Sequence, residues 1–166
     1  VGKNKNFVAD KVIDATDKAV SPGFINMLSW AYNSLMDDGR SLSDLKQGVT
    51  LEVFGEGTSP GPSGNIKDNS YVSFGEAMQK LEDNGVSPNI ASYLGAATVR
   101  IQEIGYANRK ATDEEMESMR EIVKSAMEEG AIGIGSSLIY APGDYADTNE
   151  LIELSKVASS YGGRYI

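Results

Sequence analysis

The sequence predicts an α/β fold with parallel strands, and three observations carry that expectation. Short apolar runs of strand length alternate with capped helical segments from residue 24 onward. The helical segments share one punctuation, a Ser, Thr or Asp at the start and a glycine at the end. Residues 128–143 show a helix end, a small apolar run and a loop in immediate succession, the loop carrying Ser136, Ser137 and Tyr140. Regular alternation of strand and helix implies parallel pairing through right-handed crossovers. The spacing is equally compatible with a closed barrel and with an open doubly wound sheet.

Residues 1–23 alternate weakly, with Phe7, Val8, Val12, Ile13 and Val20 set among polar residues, and read as short strands joined by turns up to Ser21-Pro22-Gly23. Phe24-Ile25-Asn26-Met27-Leu28 is the first core strand, and residues 30–39 suggest a short amphipathic helix with Trp30, Leu35 and Met36 facing inward. Ser41 opens a helix that carries Leu42 and Leu45 and stops at Gly48; residues 50–54 form the next strand. Ser73 with Glu76 makes a Ser-x-x-Glu capping box for a helix carrying Met78 and Leu81 to Gly85, followed by a strand over 90–94. Thr112 with Glu115 repeats the box before Met116, Met119, Val123 and Met127, and Gly130 ends that helix ahead of a strand over 131–135. Asp147 with Glu150 opens the last helix, which carries Leu151, Leu154, Ala158 and Tyr161 to Gly162, before a strand beginning at 164. The connections 55–64 and 95–111 are long and irregular, and both follow strands, where ligands are bound in folds of this kind.

Composition narrows the function classes. A chain of 166 residues with 40% apolar content can bury one core, no stretch approaches the ~20 apolar residues of a membrane span, and no signal segment opens the sequence. It reads as an interior portion of something longer. A net charge of -9 argues against phosphate backbones and anionic membranes as partners. The absence of cysteine excludes disulfides and thiolate metal ligands while leaving the compartment open. The absence of histidine removes the imidazole ligand and the ordinary near-neutral base, so chemistry within this chain falls to carboxylates, Tyr, Lys, Ser or Thr.

Within those limits a few residues stand out. Glu56 sits between two glycines just past the second strand, as a metal ligand, an acid or base, or a solvated loop carboxylate. Glu52 lies inside that strand and should have a cationic partner. Tyr140, beside Ser136 and Ser137, has a phenol able to hold a ligand carboxylate or to pack as a loop aromatic. Arg100 offers a planar cation for an anion or for a structural salt bridge. Gly133-Ile134-Gly135-Ser136-Ser137 lacks the Gly-Lys-Ser/Thr ending of a phosphate loop and reads as close strand packing. Met116, Met119 and Met127 share one helical face and belong to the core.

Val20-Ser21-Pro22-Gly23-Phe24-Ile25-Asn26, Lys46-Gln47-Gly48-Val49-Thr50 and, above all, the run from Ala126-Met127-Glu128-Glu129-Gly130 to Tyr140-Ala141-Pro142-Gly143 resemble the N-acyl-D-amino-acid deacylases (D-aminoacylases) of the amidohydrolase superfamily. The resemblance implies a partial (β/α)8 TIM-type barrel, about the first four to five β/α units over residues 23–166, with residues 1–22 as the edge of a small β-sandwich domain. It also implies a zinc-activated water that hydrolyses a linear amide substrate. Tyr140 aligns with a substrate-carboxylate contact and Glu56 falls at or beside a metal-ligand position, while Ser137, beside Tyr140, and Arg100, after the third strand, are further substrate-binding candidates. The first-strand His-x-His of the family reads Leu28-Ser29-Trp30 here, and a further family histidine reads Ala96. Remaining ligands and the catalytic aspartate would lie on later strands. A half barrel exposes two sheet edges, which implies self-association or pairing with a missing C-terminal half. Two other readings stay open: a non-catalytic relative that binds a small acidic ligand, and an open α/β domain that oligomerises.

Overall fold

A computed structural model of the chain describes residues 8–65, 67 and 69–166. Six strands are all paired in parallel: β1 (Phe24–Asn26), β2 (Val49–Phe54), β3 (Asn89–Ser92), β4 (Leu94–Gly95), β5 (Gly133–Gly135) and β6 (Arg164–Tyr165). They form two three-stranded sheets ordered β1-β2-β3 and β4-β5-β6. The sheets adjoin at Tyr93, whose N–H donates to Phe54 O at 2.9 Å, while Ile132 N–H donates to Ser92 O at 3.0 Å. Order in space therefore follows order in the chain from β1 to β6.

Helices α1 (Tyr32–Asp37), α2 (Leu42–Lys46), α3 (Phe74–Asn84), α4 (Ala96–Glu103), α5 (Asp113–Glu128) and α6 (Thr148–Ser160) connect these strands. Leu94 and Ile134, paired across β4 and β5, lie in one core cluster with Val99 of α4, Met119 and Val123 of α5, and Leu154 of α6. A smaller cluster packs Phe54 of β2 against Leu35 of α1 and Leu81 of α3. Met116, Met119 and Met127 are buried in the larger cluster, as their spacing predicts.

Both capping boxes form. Ser73 and Glu76 exchange side-chain and backbone hydrogen bonds at the start of α3, and Thr112 and Glu115 do so for α5. Gly130, with φ of 103°, turns the chain out of α5 in a conformation that an L side chain resists. At α6, Asp147 accepts from Glu150 N–H at 2.9 Å, yet the box stays one-sided because the Glu150 side chain is drawn inward to Arg100. At α2, Ser41 takes φ of 43° and gives no side-chain cap, its hydroxyl being committed to Glu52 instead.

Other elements depart from the sequence expectation for local reasons. Strand β1 stops at Asn26, whose side chain accepts from Leu28 N–H at 3.2 Å and turns the chain out of the sheet. Trp30, expected inward, is 58% exposed, whereas Leu35 and Met36 do face the core. Strand β5 begins at Gly133, because Ala131 still donates to Ala126 O at the end of α5. Residues 8–23 form no strand, and Val8, Val12, Ile13 and Val20 are exposed, with no partner strand beside them among the described residues. Phe7 lies outside the described residues. No described helix is long and apolar enough to cross a membrane.

The start of α5 also fixes a pH dependence. Arg109 donates to both Glu115 carboxylate oxygens at 2.6 Å, which together with the Thr112 N–H lowers the Glu115 carboxyl from 4.5 to about 2. A depressed carboxylate pKa adds stability above its unfolded value, and that stability is lost as pH falls through the folded value. Glu115→Gln is therefore expected to flatten the acid limb of unfolding between roughly pH 4.5 and 2, followed by far-ultraviolet circular dichroism; an unchanged limb would contradict this.

Candidate functional site at the strand ends

The C-terminal ends of the strands gather three loops: residues 27–31 after β1, 55–64 after β2 and 136–142 after β5. Glycine makes their approach possible. A Cβ on Gly135 would lie 2.1 Å from Gly55 O, one on Gly95 would lie 2.4 Å from Thr58 Cα, and one on Gly57 would lie 2.9 Å from Ser137 Cβ. The turn around Glu56 is thus wedged against both the start of α4 and the loop bearing Tyr140. Hydrogen bonds complete the seam. Ala97 N–H at the head of α4 donates to Gly57 O at 2.9 Å, Ser59 N–H donates to Thr98 Oγ1 at 2.8 Å, and Gly95 N–H donates to Ser59 Oγ at 3.0 Å. With Gly57 O on its first turn, the α4 N-terminus is already capped.

The expected site residues fall into two groups. Glu56 is half-buried at this seam; its carbonyl accepts from Thr58 N–H at 3.0 Å, while its carboxylate makes no hydrogen bond or ion pair among the described residues. Ser137 is half-buried opposite Gly57. Tyr140 is 61% exposed in the same loop, with its hydroxyl unpartnered among the described residues. Ser136 is instead committed, its hydroxyl 2.7 Å from the Tyr165 hydroxyl and donating to Ile166 O at 3.2 Å. Arg100 does not join them. It is fully buried, donating to Glu150 Oε2 at 2.6 Å and to the carbonyls of Ala107 and Arg109, so its cation holds α4, the following loop and α6 together.

Glu52 corrects the expected cationic partner. Its carboxylate is fully buried and accepts from the hydroxyls of Ser29, at 2.6 Å, and Ser41, at 2.8 Å. Two charge-assisted hydrogen bonds stand in for an ion pair. They tie the loop after β1 and the start of α2 to β2, and no local sequence signal linked Glu52 to serines 23 and 11 residues away. Glu52→Gln keeps the shape while removing the charge and is expected to lower stability by about 1 kcal/mol, measured by urea denaturation; an equal or higher midpoint would overturn this.

Metal binding finds little support in this chain's own donors. The chain has neither histidine nor cysteine, and among the described residues no group of three Asp or Glu side chains converges to hold an ion. Glu56 alone is one carboxylate. The residues present therefore do not fit a metal centre by themselves.

Parallel strands in chain order, with helices between them and loops assembled at the strand C-terminal ends, define an α/β protein of the kind found among amidohydrolases. Among known proteins the chain is similar to the N-acyl-D-amino-acid deacylases. It is 29% identical to a D-aminoacylase of Alcaligenes xylosoxydans xylosoxydans over 99% of its own length and 37% of that protein. An N-acyl-D-aspartate deacylase of the same organism is 28% identical over 86% of this chain and 31% of that protein. A solved D-aminoacylase described as having a binuclear metal centre superposes with a TM-score of 0.79 at 27% identity, over 87% of this chain and 33% of that one. The fold also matches, at a TM-score of 0.78 and 23% identity, an N-acyl-D-glutamate deacylase from Bordetella bronchiseptica complexed with zinc and a phosphonate inhibitor. No family model matches the chain. The chain spans about a third of the length of the curated relatives it matches.

Proposed function

We propose that this chain forms the N-terminal half of a (β/α)8 barrel, residues 23–166, in a hydrolase that removes the acyl group from N-acyl-D-amino acids or similar linear amides, with residues 1–22 at the edge of a β-sandwich domain. The observation that carries the reading is the strand order. A singly wound progression from β1 to β6 is what one side of a barrel requires, whereas a doubly wound sheet reverses direction midway. The deacylase relatives supply the reaction class.

In this reading the Tyr140 hydroxyl donates to the substrate carboxylate, and the Ser137 hydroxyl lies across the seam from Glu56 as a second polar contact. Arg100 serves by fixing the frame. Zinc is the metal the relatives suggest; in this reading Glu56 contributes one carboxylate to it, and further ligands come from other chain segments or another subunit. Such a protein acts on a small amide and needs neither nucleic acid nor membrane.

The test is release of free D-amino acid from N-acyl-D-amino acids by the polypeptide of the complete reading frame, assayed beside this chain and a Tyr140→Phe variant. Activity in the longer protein with a raised KM for Tyr140→Phe is expected, and little or none in this chain alone. A folded longer protein without amidase activity under any metal loading would overturn the reading. One observation favours a second reading, a non-catalytic relative that binds a small acidic ligand: Leu28 and Trp30 are exposed at the positions of the first-strand His-x-His. Ligand binding without turnover would select it.

A further inference from the structure

A cavity of about 270 Å³ opens between the loop after β1 and the loop after β2, on the strand-end side of the sheet. Trp30, Tyr32, Phe54 and Pro60 supply its apolar lining, and the uncharged polar residues Ser29, Asn33, Thr58 and Ser59 supply the rest. We propose that this cavity takes a neutral apolar group, an aryl or branched alkyl acyl chain, and that Trp30 is the wall that recognises it. The identification of that group as the acyl portion of an amide rests on the deacylase reading above.

Four features of the cavity lead to this ligand class. The floor is fixed, because Ser29 N–H donates to Val53 O at 2.9 Å and so pins the loop after β1 to the end of β2. The volume is large enough to seat a group the size of a benzene ring. No Lys, Arg, Asp or Glu side chain lines it. Behind the floor lies the fully buried Glu52 carboxylate, which accepts a hydrogen bond from the Ser29 hydroxyl at 2.6 Å. An anion entering the cavity would meet that charge and find no donor in Ser29, so the carboxylate end of an acyl amino acid is disfavoured and the acyl end admitted.

Orientation follows from the neighbouring seam. Thr58 of the turn Glu56-Gly57-Thr58 lines the cavity, and Ser137, on the loop that carries Tyr140, packs against Gly57 of the same turn. A substrate laid across that turn would place its acyl group against Trp30, its amide near Thr58 and Asn33, and its carboxylate toward Tyr140. By contrast, a wider groove of about 1310 Å³, lined by residues of α4 and α5 with residues 62–65, Lys67 and Tyr71, carries Glu103, Glu114, Glu117 and Glu121.

Trp30 is the single tryptophan, so its fluorescence reports the cavity directly. Titration of this chain with phenylacetamide is expected to give a saturable change in Trp30 emission, with acetamide and phenylacetate at least about tenfold weaker, roughly 1.4 kcal/mol. Thr58→Phe, which narrows the mouth, should abolish the change while leaving circular dichroism unaltered. Trp30→Ala, followed by calorimetry, should weaken phenylacetamide by a similar factor. A folded chain that shows no saturable response, or that binds phenylacetate as well as phenylacetamide, overturns the proposal. Binding of phenylacetamide with no deacylase activity in the longer protein would leave the cavity assignment standing and overturn only the proposed function; deacylase activity without such binding would do the reverse.

Discussion

Replacing Glu150 with Ala is expected to destabilise the chain by about 3–5 kcal/mol, the largest effect among the substitutions considered. Arg100 is fully buried, and among the described residues Glu150 is the carboxylate that forms an ion pair with it, at 2.6 Å. The guanidinium cannot shed its charge, so without Glu150 it would remain ionised against the Ala107 and Arg109 carbonyls, with Nε already lacking a partner. The reverse substitution is milder. Burial pushes the Glu150 carboxyl up, and the Arg100 guanidinium opposes that shift without cancelling it. With Arg100→Met the carboxyl can take a proton and become neutral.

This asymmetry has a pH signature. A carboxyl with a raised folded pKa contributes stability that is present below its unfolded value and lost as pH rises through the folded one. Arg100→Met should therefore recover stability relative to the parent as pH falls through the raised folded value toward the ordinary glutamate value, where the recovery is complete, whereas Glu150→Ala should not. The double variant Arg100→Met/Glu150→Leu should lie nearer the parent than Glu150→Ala does, because neither charge remains buried. Urea denaturation across pH measures all three. Equal midpoints for Glu150→Ala and the parent would show that the pair carries no such burden.

The same pair illustrates how far the sequence could be read. Helix starts and stops were legible where one residue decides them locally, as with Ser73, Thr112 and Gly130. Helix α4 was not, and residues 95–111 read as loop. Gly95 gives no side-chain cap, and Ala96, Ala97, Thr98, Val99 and Arg100 are all buried, so the helix shows neither a start signal nor an amphipathic stripe. Its identity rests on tertiary burial and on the Gly57 carbonyl that meets its first turn. The run Ala96-Ala97-Thr98-Val99-Arg100-Ile101 was the available hint, being rich in helix-tolerant residues and free of Gly and Pro.

For the strand-end residues, local spacing placed Glu56, Ser137 and Tyr140 on ligand-facing loops, and the structure brings the first two to a common seam. Glu52 and Trp30 were misjudged for one shared reason. A charge in a strand interior suggests a distant cation, and a tryptophan on an amphipathic segment suggests the core. Both inferences depend on long-range partners that periodicity does not specify. Here the loop after β1 brings Ser29 under Glu52 and leaves Trp30 at the mouth of a cavity.

Gly135→Ala is expected to lower stability by about 3 kcal/mol, at the upper end of overpacking effects, and to pull the Tyr140 loop away from the turn at Glu56. A Cβ there would lie 2.1 Å from Gly55 O and 3.3 Å from Glu56 Cα, and a carbonyl oxygen cannot rotate aside as a side chain would. Relief on the other flank is blocked, since Gly135 pairs with Gly95 and its neighbour Ile134 is fully buried against Leu94. The turn must retreat or β5 must shift. Gly130→Ala separates this steric effect from backbone strain, because Gly130 has φ of 103° but nothing within 4 Å of an added Cβ. That control should cost about 1 kcal/mol and leave the seam intact. Amide chemical shifts of Gly57 and Ser137, whose contact defines the seam, discriminate the two: they should move in Gly135→Ala and stay in Gly130→Ala. If both variants leave them unchanged, close glycine packing does not hold these loops together, and the substrate path drawn across Glu56-Gly57-Thr58 loses its support.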